Sequence, residues 1–284
     1  MPDDEQLRRR LRVLSRAYRR VGLPHIWERL ADEIASLGTP EAYRFLIEQA
    51  RRDDRRAEEA IAALHDAGPD VLPHLMGALR KSPDAEGLAR ALPSELPPEM
   101  ADALVELVRR TSDPVALRWL AERIATAFPD RIGELTADAA QREDTVAQFA
   151  VVAGLADAGD ERCAGKLREL LLADLDSSAL RLILSSRATW DMPETQERVA
   201  ELLASDHAGD RRYAITLVGH AGWVRLAPDA LRRAVFDDDV SVRSGALQLQ
   251  WLYGEADPAA LTEVVEEVCD ELVAAAGPAS GDGA

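Results

Sequence analysis

The chain has 284 residues, a formal net charge of −17 from 34 basic and 51 acidic residues, and only 5% aromatic residues. No apolar run reaches the roughly 18 residues that a membrane span needs, and no apolar stretch follows the charged start to suggest a secretory signal. Two cysteines, Cys163 and Cys269, are too few for a disulfide framework. We therefore expect a cytoplasmic, helical protein whose core consists mainly of Ala, Leu, Val and Ile.

The first predicted helix carries many arginines. Leucines recur at helical spacing from Leu7, and seven arginines surround this apolar seam. The seam predicts packing against the next helix. The arginines are then either solvated or available to phosphates, an anionic membrane or an acidic protein surface. The candidate binding residues on this helix are Arg8, Arg9, Arg12 and Arg16.

The charge changes sign along the chain. Residues 1–56 contain 13 arginines and ten acidic residues, a net charge of +3, which leaves −20 for the remainder. Beyond Arg243 there is neither Lys nor Arg. The acidic surplus is expected both for a protein adapted to a salty cytoplasm and for one that binds a basic partner. The asymmetry also predicts possible head-to-tail self-association, in which the basic N-terminal end of one copy meets the acidic C-terminal end of another.

Prolines and glycines divide the chain into short helices, and no alternating pattern predicts a strand. Six segments open with an aspartate followed by apolar residues at helical spacing. From the second of these aspartates onward, the steps are 31, 32, 34 and 29 residues. A second apolar helix follows each segment, so the spacing predicts helix pairs that stack to bury their apolar faces. The aspartates are Asp54, Asp113, Asp144, Asp176, Asp210 and Asp239.

Two segments carry a family resemblance. Residues 237–247 have an acidic turn followed by Val-Arg and small residues, and residues 154–160 have a Gly/Asp turn. These segments resemble HEAT repeats, particularly the short bacterial HEAT-like kind. The resemblance covers residues 112–270 and, more loosely, residues 39–82. It implies an all-α fold, a right-handed α-solenoid of six to seven HEAT-like helix pairs with an N-terminal helical cap.

The predicted organisation has four parts. Residues 1–92 form an N-terminal helical module, and residues 93–111 form a Pro-rich turn with a connecting helix. Residues 112–276 form the HEAT-like array, and residues 277–284 form a disordered tail. The Pro-rich stretch either links two modules or is a longer loop within one continuous array.

Residues with catalytic or metal-binding chemistry form no complete set in the sequence. His65 and His74 flank a predicted turn, but a zinc site needs a third ligand that the sequence does not offer. No nucleophile elbow, metalloprotease motif or phosphate-binding glycine loop is present. We therefore predict no metal and no cofactor, and we favour a protein that is not an enzyme.

Tryptophans at predicted turns raise an alternative function. Trp190 and Trp223 fall between helices, and Asp191 follows the first of them. This arrangement resembles that of the alkylpurine DNA glycosylases, which are built from HEAT-like repeats. The resemblance implies that Trp190 holds an alkylated base while Asp191 stabilises a cationic sugar. The net charge of −20 after Arg56 opposes the phosphate contacts that DNA binding requires, so nucleic acid is an unfavoured partner.

A solenoid presents a curved surface formed by its second helices, and here that surface is polar and mostly acidic. HEAT-like chromophore lyases hold an extended cofactor on such a face, but the low aromatic content argues against a large flat ligand. The surface better fits a basic or mixed-charge protein segment. We therefore predict an interaction scaffold, adaptor or regulatory protein, with Trp190, Trp223, Glu263 and Glu267 among its binding residues.

Overall fold

Every regular element in the described part of this computed structural model is a helix, which confirms the all-α prediction. No helix among the described residues is long and apolar enough to cross a bilayer. The chain divides into two compact units, Met1–Leu167 and Arg168–Ala284. The four-part organisation predicted from the sequence stays a prediction. The structure describes residues 4–20, 24–52, 55–83, 85–221, 231, 233–252, 262 and 266.

Fifteen α-helices lie in the described part of the chain. Those that begin in the first unit are α1 (Asp4–Arg20), α2 (Pro24–Ala35), α3 (Pro40–Ala50), α4 (Arg55–Asp66), α5 (Leu72–Leu79), α6 (Glu86–Arg90), α7 (Ala101–Arg110), α8 (Pro114–Ala127), α9 (Ile132–Ala140), α10 (Thr145–Asp157) and α11 (Glu161–Leu171). Those of the second unit are α12 (Ser177–Leu184), α13 (Pro193–Leu203), α14 (Ala208–Ala221) and α15 (Val240–Leu252).

Four of the predicted aspartates begin their helices as N-caps. Each accepts hydrogen bonds from backbone N–H groups two or three residues further on, at 2.7 to 3.4 Å, and so satisfies donors that have no partner inside the helix. Asp210 does not begin a helix, because α14 starts two residues earlier and the aspartate is buried in its first turn. Asp54 lies outside the described residues. The four N-caps are Asp113, Asp144, Asp176 and Asp239.

Alternate helices pack side by side within the first unit. Helix α2 contacts α4, α4 contacts α6, α6 contacts α8, and α8 contacts α10. The intervening helices α3, α5, α7 and α9 each contact the helix that follows them. In the second unit, α12, α13 and α15 all contact α14. Contacts that skip one helix are typical of stacked helix pairs.

Helices α8 and α10 approach each other closely enough for backbone contact. A Cβ atom on Gly154 would lie 2.2 Å from the carbonyl oxygen of Arg118 and 2.9 Å from the Cβ of Ala121, so only glycine fits without a shift. An ion pair ties the same two helices, with 2.7 Å between Arg118 Nη2 and Asp157 Oδ2. Both side chains are buried, so each charge is neutralised by the other side chain and not by water.

Arginines of the first unit bind carbonyl groups at the end of the second helix of an earlier helix pair, here α5 or α7. Arg110, at the end of α7, donates to the carbonyl oxygen of Arg80, directly after α5, at 3.2 Å. Arg142, after α9, donates to the carbonyl oxygens of Thr111, at 3.0 Å, and Val108, at the end of α7. The last carbonyls of a helix have no intrahelical donor, so these contacts supply one.

The second unit repeats this contact. Arg198 of α13 donates to the carbonyl oxygens of Leu171 at 2.8 Å and Ala173 at 2.9 Å, at the end of α11. In both units the donor stands about one helix pair after the acceptor, between 25 and 34 residues along the chain. These contacts therefore fix how consecutive second helices meet.

Replacing Gly154 by Ala should destabilise the protein, because the new methyl group forces α8 and α10 apart. We expect a loss of about 1–3 kcal/mol in the free energy of unfolding, as for overpacked cores. Gly165→Ala is the matched control, because its site in α11 is exposed and has nothing within 4 Å of the added carbon. That variant should gain up to about 1 kcal/mol. Urea denaturation measures both, and equal effects would contradict the close approach.

Acid should weaken the second unit through Asp210 and Asp237. Hydrogen bonds from Arg181 and Arg211 hold the pKa values of these two carboxyls below their ordinary value. A carboxyl whose pKa is lowered by folding stabilises the protein above its unfolded pKa, about 3.9, and this stabilisation is lost as pH falls through the folded pKa.

The measurement is the free energy of unfolding between pH 6 and pH 3. The deficit of Asp210→Asn and of Asp237→Asn relative to wild type should shrink as pH falls. Asp206→Asn, at an exposed position in the same unit, is the control for the loss of a surface carboxyl. Parallel curves for all three variants would show that the two arginine contacts do not contribute.

Candidate functional site

The first helix has a basic stripe, which we define as Arg9, Arg12, Arg16 and Arg20 together with Val13 and Ala17 between them. These residues line a shallow depression of about 520 Å³ on one face of α1. Val13 is 64% exposed, and the four arginines are exposed around it. Within the described part of the chain, none of these four arginines forms an ion pair. Arg8, the remaining candidate on this helix, is exposed as well.

The opposite face of α1 is anchored to the protein. Tyr18 is fully buried, its ring meets Phe45 edge to face at 5.9 Å, and its hydroxyl donates to the carbonyl oxygen of Arg56. Arg10 pairs with Glu33 of α2, and α1 packs along that helix. The predicted apolar seam therefore does pack, and the stripe faces away from it.

A second exposed surface lies where α11 ends beside α13. Arg198 binds the Leu171 and Ala173 carbonyls and also pairs with Glu201 at 2.7 Å, so it brings that carboxylate to the end of α11. Leu172 lies in the chain between Leu171 and Ala173, whose carbonyl oxygens accept from Arg198, and it is 67% exposed. Glu197 is exposed one turn before Glu201. We call Leu172, Glu197, Arg198 and Glu201 the α11–α13 patch.

Not every acid near this patch is available. Glu194, at the start of α13, accepts a hydrogen bond from Arg168 of α11 at 2.8 Å. Its own backbone amide and that guanidinium lower the pKa of the Glu194 carboxyl. This acid therefore serves to join α11 and α13, whereas Glu197 is exposed and Glu201, although it pairs with Arg198, remains 63% exposed.

In the first unit, the second helices carry a mixed-charge network. Arg109 of α7 binds Glu134 and Asp138 of α9, each at 2.8 Å. Arg131 binds Glu134 at 2.9 Å and Asp102 of α7. These acids are engaged by arginines, so this face is less purely acidic than its sequence composition indicates.

Trp190 and Asp191 lie in the turn between α12 and α13. The Trp190 indole Nε1 donates to the carbonyl oxygen of Leu184 at 3.2 Å, and the ring is half-buried. Thr195 fixes the same turn by donating to the carbonyl of Thr189 at 2.8 Å. Asp191 is exposed beside it. The indole thus has a structural contact here, and Trp223, the other tryptophan at a predicted turn, lies outside the described residues, as do Glu263 and Glu267.

The two histidines that flank the predicted turn, His65 and His74, make separate local contacts. His65 Nδ1 lies 2.8 Å from the Leu92 carbonyl oxygen, and its Nε2 lies 3.2 Å from the Ser94 hydroxyl. His74 instead stacks on Tyr43, with ring centroids 5.5 Å apart. No group of three metal-ligating side chains occurs among the residues that the structure describes.

The candidate binding residues predicted from the sequence do not include Leu172, Val13 or Arg20, although Arg20 is one of the seven arginines of the first helix. Helical spacing on α1 places Val13 one turn from both Arg9 and Arg16, so the sequence alone indicates that Val13 lies on the same face of the helix as these arginines. For Leu172 the sequence gives no such indication, because an apolar residue after Leu171 at the end of an apolar helix is typical of a core.

Comparison with protein-family models, with curated proteins and with solved structures finds no match to this chain.

Cys163 should be nearly unreactive in the folded protein. The thiol is buried in α11, and burial, followed by the charge of Asp160, raises its pKa from 9.0 to about 12. Because the thiolate is the nucleophile, three pKa units lower its reactive fraction about thousandfold. In a Cys269→Ser background, alkylation at pH 8 should be about thousandfold slower in the native protein than in urea. Similar rates in both states would contradict the burial of this thiol.

Proposed function

We propose that this protein is a protein–protein interaction scaffold, adaptor or regulatory protein, and that its helix pairs are HEAT-like repeats of an α-solenoid. The observation that carries the proposal is the α11–α13 patch, where Arg198 holds the exposed Glu201 carboxylate at the helix end that carries the exposed Leu172. The skipping contacts between alternate helices support the repeat assignment. A cytoplasmic location is part of the same proposal.

The chemistry of the patch suggests its partner. Glu197 and Glu201 attract a basic or mixed-charge segment, and such complementarity favours rapid and selective encounter. Leu172 supplies an apolar contact that only a partner can bury, and burial of a leucine stabilises an interface more than an exposed ion pair does. Arg198 is held by three contacts, so the surface is ordered before binding.

No contact of the described residues favours the glycosylase alternative. That function needs the face of the Trp190 ring to stack on a base, whereas the ring is half-buried in the turn and is held there through its Nε1 by the Leu184 carbonyl. It also needs a basic groove, and the described surface of the turn offers the carboxylate of Asp191. The alternative stays a prediction from the sequence.

The proposal is tested in two steps, of which the first identifies the partner. A photo-crosslinking amino acid is placed at Leu172, and in a parallel chain at Thr216, an exposed position on α14 of the same unit. A protein that is captured from the source cell at Leu172 and not at Thr216 is then purified. Equal capture at both positions would count against the patch.

Binding of that purified protein decides the proposal. Leu172→Ser should raise the Kd of the complex with the captured protein about fivefold to thirtyfold, the effect of removing an interface anchor. Glu197→Lys with Glu201→Lys should weaken binding further at low salt and less at high salt, because salt screens the charges. Glu143→Lys, an exposed acid of the first unit, is the control for charge alone. An unchanged Kd in the Leu172 variant would overturn the proposal.

A further inference from the structure

The basic stripe on α1 differs from the other arginine clusters of the described chain. Arg109, Arg131 and Arg211 each bind a carboxylate of a neighbouring segment. The four stripe arginines do not, although three of them, Arg12, Arg16 and Arg20, follow one another at intervals of one helical turn. Like charges at this spacing destabilise a helix. An anionic partner would relieve that repulsion.

The position of α1 leaves this face open. The helix is attached through its other side, by Tyr18 to α3 and α4 and by its packing along α2. The four arginines of the stripe are exposed on the side of α1 that faces away from these contacts. Exposed Val13 at its centre adds an apolar surface that a bound segment would bury.

The chain itself contains a segment of complementary charge. Residues 255–271 hold seven acidic residues and no Lys, Arg or His. Glu263, Glu267 and Glu271 recur every four residues, the same interval as Arg12, Arg16 and Arg20. Residues at this interval share one face of a helix, and both described residues of the segment, Thr262 and Glu266, are helical and exposed. We call residues 255–271 the acidic segment.

We propose that the basic stripe binds the acidic segment of a second copy of this chain. The two surfaces differ, so each contact is head-to-tail, and two copies joined by one such contact still have one stripe and one acidic segment unoccupied. The association then continues into chains or closes into a ring of three or more copies. It does not depend on the scaffold function proposed above, because it uses neither Leu172 nor the carboxylates of α13.

The first measurement is the molar mass of the full chain by light scattering over a range of concentrations. In about 20 mM salt the mass should rise beyond twice the 31.0 kDa of one chain, and in about 500 mM salt it should return to one chain, since exposed ion pairs are screened. A mass of one chain at every concentration in low salt overturns the proposal, and so does a mass that stops at two chains.

Two neutralising variants then distinguish a head-to-tail contact from any other. Arg12→Gln with Arg16→Gln removes the stripe, and Glu263→Gln with Glu267→Gln weakens the acidic segment. Each variant alone should remain a single chain. An equal mixture should form a one-to-one dimer and nothing larger, because only one intact stripe and one intact acidic segment can meet.

Charge exchange provides the second test and guards against misfolding. Arg12→Glu with Arg16→Glu and Glu263→Lys with Glu267→Lys should each abolish association, and mixing them should restore growth beyond a dimer. Arg44→Gln with Arg80→Gln, two exposed positions elsewhere in the first unit, is the control and should associate as wild type does. Association that persists in both neutralised variants, or a mixture that stays at one chain, overturns the proposal.

Discussion

The structure depends on how the carbonyl ends of its second helices are satisfied. A helix leaves its last carbonyls without N–H partners, and short helices leave such ends frequently. Here an arginine about one helix pair further along supplies the donors: Arg142 for the end of α7, and Arg198 for the end of α11. One side chain thereby satisfies a local requirement of one helix and sets the position of another.

This role suits arginine better than lysine. Lysine occurs only at positions 81 and 166, although 34 residues are basic. A guanidinium has five N–H donors in a planar fork, so Arg198 can bind two carbonyls and the Glu201 carboxylate at once. A lysine ammonium is a compact charge without that geometry. The stripe arginines of α1 have the same chemistry but no described acceptor, which is why they are the ones available to a partner.

Local features were predictable from the sequence, and long-range ones were not. The N-cap role of Asp113 and the helix stop at Gly159, where φ is +97°, follow from neighbouring residues alone. Asp210 has the same residue type and spacing, yet α14 begins two residues earlier, and the Asp210 carboxylate binds Arg181, 29 residues away in the chain. Likewise, nothing local indicates that Arg198 reaches back 27 residues to Leu171, and so the exposed Leu172 beside it could not be recognised.

Recognition of carbonyl groups has a consequence for how such a chain can change over evolutionary time. A carbonyl is present at every residue, so the contact from Arg142 or Arg198 survives any substitution at its acceptor, provided that the helix end keeps its shape. The long arginine side chain also tolerates helix pairs of unequal length, here 29 to 34 residues. Successive pairs are thus free to diverge in sequence while their packing is maintained, since the donor alone specifies the contact.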